Sequence, residues 1–173
     1  MKLLYGFIIF IFSHSVFADD VNKPMTNERL DQIIRHLVKD VEGRLGFWSF
    51  AIDNVQVQVV TDAKANRMRI MSPIVKSSEL KEEQLYRLMQ ANFDTALDAR
   101  YAIAKGILWS TYIHPLAELT TEQFTVSLGQ TVNSVVTYGS TFSSGLLSFG
   151  GGDSQSILRH RLIEELRKKG QEI

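Results

Sequence analysis

The sequence predicts an α+β domain: an antiparallel sheet with helices laid on one face, in the order α-β-β-β-α-β-β-α, followed by a C-terminal helix. Three observations carry this. Three short apolar runs between Phe47 and Ile74 are separated only by turn chemistry. A two-stranded hairpin from Asp98 to Ile113 folds over at Lys105-Gly106. Stretches with apolar residues at three- and four-residue spacing flank and divide these strands. Strands joined by short turns are antiparallel, and helices grouped around such strands pack on one sheet.

The first helix opens at Thr26, a capping residue. Leu30, Ile33, Ile34, Leu37, Val38 and Val41 form its single apolar stripe, and Arg29, Gln32, Arg35, Lys39 and Glu42 take much of the other side. Gly43 is its expected stop, because glycine accepts the left-handed conformation at a helix end. The first strand is Phe47 to Ile52, and Asp53-Asn54 is turn chemistry. In the second, Val55 to Thr61, valines 55, 57 and 59 alternate with Gln56 and Gln58. The third runs Arg67 to Ile74, where Pro73 lacks an N–H and marks an end or an edge.

Ser77 and Ser78 open helix two. Glu79, Glu82 and Glu83 suit its positive end, Leu85, Leu88 and Met89 form its buried face, and Asn92 is its terminus. Within the hairpin, Ala99, Tyr101 and Ile103 alternate on one strand. Ile107, Trp109, Thr111 and Ile113 alternate on the other, which predicts a buried Trp109. The Lys105-Gly106 corner fits a bulged turn with glycine at positive φ. Helix three has the clearest start. Thr120 and Gln123 form a capping box, and Leu119 and Phe124 form a hydrophobic staple. Its buried face is Phe124, Leu128, Val132, Val135, Tyr138 and Phe142.

Composition sets the compartment and excludes several chemistries. Of 173 residues, 45% are apolar and 22% charged, so the chain can bury a core. The formal charge is zero, and a nucleic-acid partner, which needs clustered Lys and Arg, is not expected. Residues 1–18 read as a secretory signal peptide: Lys2, an apolar run from Leu3 to Phe12, then Val16-Phe17-Ala18 before Asp19-Asp20. Cleavage after Ala18 leaves a formal charge of −1 and places the protein in the periplasm. No later run of ~18 apolar residues exists, so no transmembrane segment is expected in the mature chain. With no cysteine there is no disulfide, thiolate nucleophile or zinc–thiolate site.

The chain then divides into a lead at 19–25, an α+β domain at 26–144, a Gly-rich linker at 145–153 and a basic amphipathic helix at 154–173. Asp153 caps that last helix, whose stripe is Ile157, Leu158, Leu162 and Leu166, ahead of Arg167, Lys168 and Lys169. No catalytic group, metal site or cofactor is expected. His36, His114 and His160 lack ligand partners at metal spacing, and Ser140, Ser143 and Ser144 make no nucleophile elbow. Gly150 to Gly152 is no phosphate loop, and Asp94, Asp98 and Glu118 read as turn and cap residues.

The candidate functional residues are therefore partner-binding ones. Trp48, Phe50, Tyr101, Trp109 and Tyr112 either fill the core or leave one sheet face partly open for a partner. Trp109 and Tyr112 represent that face. Leu146, Leu147 and Phe149 are the apolar centre of the linker, and Leu158, Leu162 and Leu166 the stripe of the tail helix. An isolated helix of this length needs its apolar face covered. The tether favours a second copy or another protein over the chain's own sheet.

The Leu85-Tyr86-Arg87-Leu88-Met89-Gln90-Ala91-Asn92 run resembles the second helix of class I type III secretion chaperones and of the YbjN family of bacterial sensory transduction regulators. Ala99 to Ile103, Gly106, Leu108, Pro115-Leu116 and Leu119-Thr120 resemble their closing hairpin and the approach to their last helix. The resemblance spans about Asn27 to Ser144. It implies the α+β fold, a protein partner or a homodimer, and no enzymatic activity. The chain departs from the chaperones, which are typically cytoplasmic and acidic, in its export signal and near-neutral charge. The reading that follows is an exported, non-enzymatic interaction module of chaperone or regulator type. A small-ligand or peptide sensor is the alternative, and a hydrolase the remote one.

Overall fold

The structure, a computed structural model, describes residues 23–94, 96–138 and 161–172. The leader, the linker residues Leu146, Leu147 and Phe149, and Leu158 lie outside them.

The described chain contains α1 (Asn27–Leu37), β1 (Glu42–Arg44), β2 (Phe47–Ile52), β3 (Val55–Asp62), β4 (Arg67–Lys76), a 3-10 turn (Ser77–Glu79), α2 (Glu82–Asp94), β5 (Arg100–Ala104), β6 (Ile107–His114), α3 (Thr121–Val136) and α4 (Arg161–Gln171). The strands form a single six-stranded sheet in the order β1-β2-β3-β4-β6-β5, antiparallel throughout. The predicted order of elements holds. β1 is an additional strand, and the reason is glycine. Gly43 has φ 113° and Gly46 φ 90°, and a Cβ at position 43 would lie 2.2 Å from the Phe47 carbonyl oxygen. Gly43 therefore seats a tight hairpin instead of ending a helix. α1 stops at Leu37, where Val38 turns extended, so Val41 leaves the helical stripe.

One face of the sheet is the core face. Trp48, Phe50, Val57, Val59, Met68, Ile70 and Tyr112 point into it. Leu30, Ile33, Ile34 and Leu37 of α1, Phe124, Leu128 and Val132 of α3, and Leu162 and Leu166 of α4 cover it. A second cluster joins Leu88 and Ala91 of α2 to Tyr101 and Leu108 at the β5–β6 end. Complete burial of large apolar side chains contributes roughly 1.5–3 kcal/mol each, so these clusters fix which face the helices take.

Local signals set the ends of the elements. Thr120 Oγ1 accepts from the Gln123 N–H at 3.1 Å, and Gln123 Oε1 accepts from the Thr120 N–H at 2.9 Å, completing the predicted capping box. The two hairpin corners Asp53-Asn54 and Lys105-Gly106 hold all four residues at positive φ, the geometry whose twist matches paired strands. Asn66 ties the β3–β4 turn to the loop before α3, its amide bonding Ala117 N–H at 2.7 Å and Glu118 Oε2 at 2.8 Å. Ser77 and Ser78 open a 3-10 turn rather than α2, which starts at Glu82.

Two expectations are corrected here. Trp109 is not in the core: the alternation was assigned to the wrong face of β6, and the buried set is Leu108, Ser110 and Tyr112. A serine interrupts that set, which made Ile107-Trp109-Thr111-Ile113 look the more apolar. The last helix does not await a partner. α4 lies on α3 and α1 of its own chain, with Ile163 against Gly129 and Thr125 against Gly170.

Candidate interaction surfaces

Because every helix packs on one face, the other face of the sheet carries no described element. The register defines a cross-strand row on it: Arg44 opposite Phe47, Phe47 opposite Val60, Val60 opposite Arg69, and Arg69 opposite Ile113. A second row pairs Pro73 with Trp109 and Trp109 with Ala102. Trp109 is half-buried there, its indole N–H donating to the Ala104 carbonyl at 3.0 Å. Ile113 is more than half exposed, and Leu45, at the β1–β2 corner, is half exposed. A notch of about 370 Å³ opens beside Val60, Met71 and Ile113, edged by Arg67, Arg69 and Asp62.

A second surface is the outer stripe of α2. Tyr86, Met89 and Phe93, at three- and four-residue spacing, are each more than half exposed. They flank β5, the edge strand of the sheet, where Asn92 makes paired bonds to the backbone of Tyr101 (2.7 and 3.0 Å) and so occupies part of that edge. The sequence reading put Met89 on the buried face. Leu88 is buried as expected, but Ala91 and not Met89 sits beside it, a difference that apolar spacing alone does not decide because alanine is a weak hydrophobic signal.

A third feature is a cleft of about 590 Å³ between the end of α1, the open half of β2 and α4. β1 pairs only with Phe47, Trp48 and Ser49, so among the described residues no strand lies beside Phe50, Ala51 and Ile52 on that edge. Leu37, Phe50, Ile52 and Leu166 form its apolar lining, and Asp40, Asp53 and Lys169 are among its charged residues.

The predicted partner residues therefore separate. Trp109 lies on the uncovered face. Tyr112 is buried in the core and stacks on His114 at 5.9 Å, so it offers a partner no side chain. Leu162 and Leu166 are core residues, covered by their own domain. The remaining four lie outside the described residues.

The titrating groups that stand out are structural. Burial, helped by the neighbouring Tyr138, pushes the Tyr101 phenol up to about 12, and its hydroxyl donates to the Ser134 carbonyl at 3.0 Å. Burial also raises Tyr112 against the opposing bond to Ser127. Among the described residues no group of three or more His, Asp and Glu could hold a metal ion, and no helix is long and apolar enough to cross a membrane.

No known family profile matches the chain, and no curated protein does. Solved structures do. A chain of the ExsC-ExsE complex superposes with a TM-score of 0.50 and 16% identity, over 63% of this chain and 90% of that one. A chain of the HopA1-SchA chaperone–effector complex gives a TM-score of 0.48 and 13% identity, over 62% and 87%. The Yersinia pestis type III secretion chaperone SycH, in complex with a fragment of YscM2, gives 0.47 and 19%, over 62% and 94%. The likeness is one of fold.

Proposed function

We propose that this protein is a non-enzymatic protein-interaction module, exported to the periplasm with cleavage after Ala18. The observation that carries the reading is the distribution of exposed apolar side chains. Of the eight large apolar side chains that stand exposed among the described residues, six fall into two sets, Leu45, Phe47 and Ile113 on the sheet and its β1–β2 corner and Tyr86, Met89 and Phe93 on α2, while Ile103 and Val136 lie apart. Gathered apolar exposure marks surfaces that other proteins cover. That a chain of similar fold is known in complex with a second protein, ExsE, supports the same reading. The homodimer belongs to the α2 surface, where a stripe beside an edge strand suits a self-complementary contact.

Photo-crosslinking in the native host, with a photoreactive residue at Met89 or at Ile113, tests the reading. A discrete protein adduct at either position is the expected result. Absence of adducts at both positions overturns it. The cleft at the β2 edge supports a second reading, a sensor for a small ligand or peptide, to which the resemblance to YbjN-like regulators also points. A ligand that protects Ala51 and Leu166 from hydrogen exchange without any protein adduct would establish that reading instead.

A further inference from the structure

The uncovered sheet face holds a charge imbalance that the chain as a whole lacks. The formal charge of the sequence is zero. On this face Arg44, Arg67, Arg69 and Arg100 stand against Glu42 and Asp62. None of the four arginines is ion-paired to a carboxylate among the described residues. Arg67 donates to the Asn66 carbonyl and Arg100 to the Leu97 and Ala99 carbonyls, so both guanidinium groups are held near the sheet by backbone alone. Asp62, which accepts the Ala65 N–H at 3.0 Å, stands opposite Arg67 in the register, so the named groups leave a net excess of two positive charges on the face.

Two of these arginines share one line with apolar groups: Arg44, Phe47, Val60, Arg69 and Ile113 follow one another across β1, β2, β3, β4 and β6. The notch is lined by Val60, Met71 and Ile113 together with Arg69 of that line and Arg67 and Asp62 of the neighbouring pair. A concave apolar seat between two forked donors fits one large apolar side chain with a carboxylate beside it. A guanidinium binds a carboxylate through two parallel hydrogen bonds.

We propose that this row docks an acidic segment of a partner protein, with one apolar or aromatic side chain in the notch and flanking carboxylates on Arg69 and Arg67. The proposal rests on the protein-interaction reading and assigns it a surface and a partner chemistry. Steering by this positive excess also makes the association dependent on ionic strength.

The test uses the purified protein, amide NMR and three probes. One is a short peptide with a single Phe flanked by glutamates. The second is the same peptide with lysines for the glutamates. The third is vesicles rich in phosphatidylglycerol. The acidic peptide is expected to shift the amides of Phe47, Val60, Arg69 and Ile113. Arg69→Glu should weaken it tenfold or more and let the lysine peptide bind in its place. Arg69→Gln, which keeps a neutral side chain there, should fall between, and an unchanged spectrum away from the row checks folding of both variants. Equal binding to wild type and Arg69→Glu overturns the proposal. So do shifts confined to α2 or to the β2 cleft, and so does binding of the vesicles alone. If the peptide fails while a photoreactive group at Met89 still captures a protein, this surface assignment falls and the interaction reading stands.

Discussion

Asp31 joins the first helix to the sheet. The Trp48 indole N–H donates to its Oδ1 at 2.8 Å, and Arg35 Nε bonds both carboxylate oxygens at 3.0 Å. Partial burial, the largest single influence, pushes its pKa upward, but the bonds from Trp48 and Arg35 outweigh it and hold Asp31 below its ordinary 3.8. A depressed carboxyl stabilises the fold at every pH above its unfolded value and loses that contribution as pH falls through the folded one. Acid unfolding followed by circular dichroism should therefore sharpen below about pH 4, at the usual aspartate range, and Asp31→Asn should flatten that part of the profile. Tyr101 works in the opposite direction. Its phenol is raised to about 12, so its contribution is complete below the ordinary 10 and fades as pH climbs from there toward 12. Tyr101→Phe should remove that alkaline loss, at a cost near 1 kcal/mol for the hydrogen bond to Ser134. Of the two tryptophans, Trp109 inverts the sequence reading and Trp48 takes the core alternative. Trp48 is completely buried, and Trp48→Ala should cost about 3–5 kcal/mol in denaturant titration. Trp109→Ala should cost less than Trp48→Ala, since Trp109 keeps part of its surface in water. Both lie on strands with apolar alternation, and nothing in a period of two says which face the helices will choose.

At the scale of elements, the decisive contact is α4 on α3. A Cβ on Gly129 would come 2.7 Å from Ile163 Cγ1, so the two helices touch where one has no side chain. Gly129→Ala should weaken this seat by about 1–3 kcal/mol, the usual range for overpacking. Hydrogen exchange at residues 161–171 should speed up, and Ile163→Ala in the same chain should restore much of the protection. What could be read directly were features decided within a few residues: the Thr120–Gln123 box, the stripe of α1 up to Leu37, and the position of the Lys105-Gly106 corner, which is a two-residue turn with both residues at positive φ and not the expected bulged one. Gly43 was misread because a glycine after an apolar stripe signals a helix end locally. Its actual constraint is the carbonyl of Phe47 on the neighbouring strand.

For the whole molecule, the order of elements was legible because short turns force antiparallel neighbours and because the helical stripes are continuous. The interaction surfaces were not. Exposure of Tyr86, Met89 or Ile113 is a property of what the other helices leave uncovered, and it appears only once α3 and α4 have taken their places. Tyr86→Glu combined with Met89→Glu should convert any dimer to monomer in light scattering without lowering the thermal midpoint by more than a degree or two. Cutting the chain after Ser144 removes Leu162, Ile163 and Leu166, all buried. Such a truncation should cost at least as much as one core Leu→Ala change, about 2–5 kcal/mol. Its denaturant midpoint and dye binding report that loss.

The contact between the first and last helices also constrains the order in which the protein can fold. Leu30, Ile33 and Ile34 share one cluster with Leu162 and Leu166, near opposite ends of the chain. During vectorial synthesis or translocation, the α1 stripe emerges first and its final cover last. Contacts of such long sequence separation are slow to close, and apolar surface waiting for them is prone to association. The interval before α4 arrives is thus when this protein most needs a holding factor, and shortening the chain lengthens that interval indefinitely.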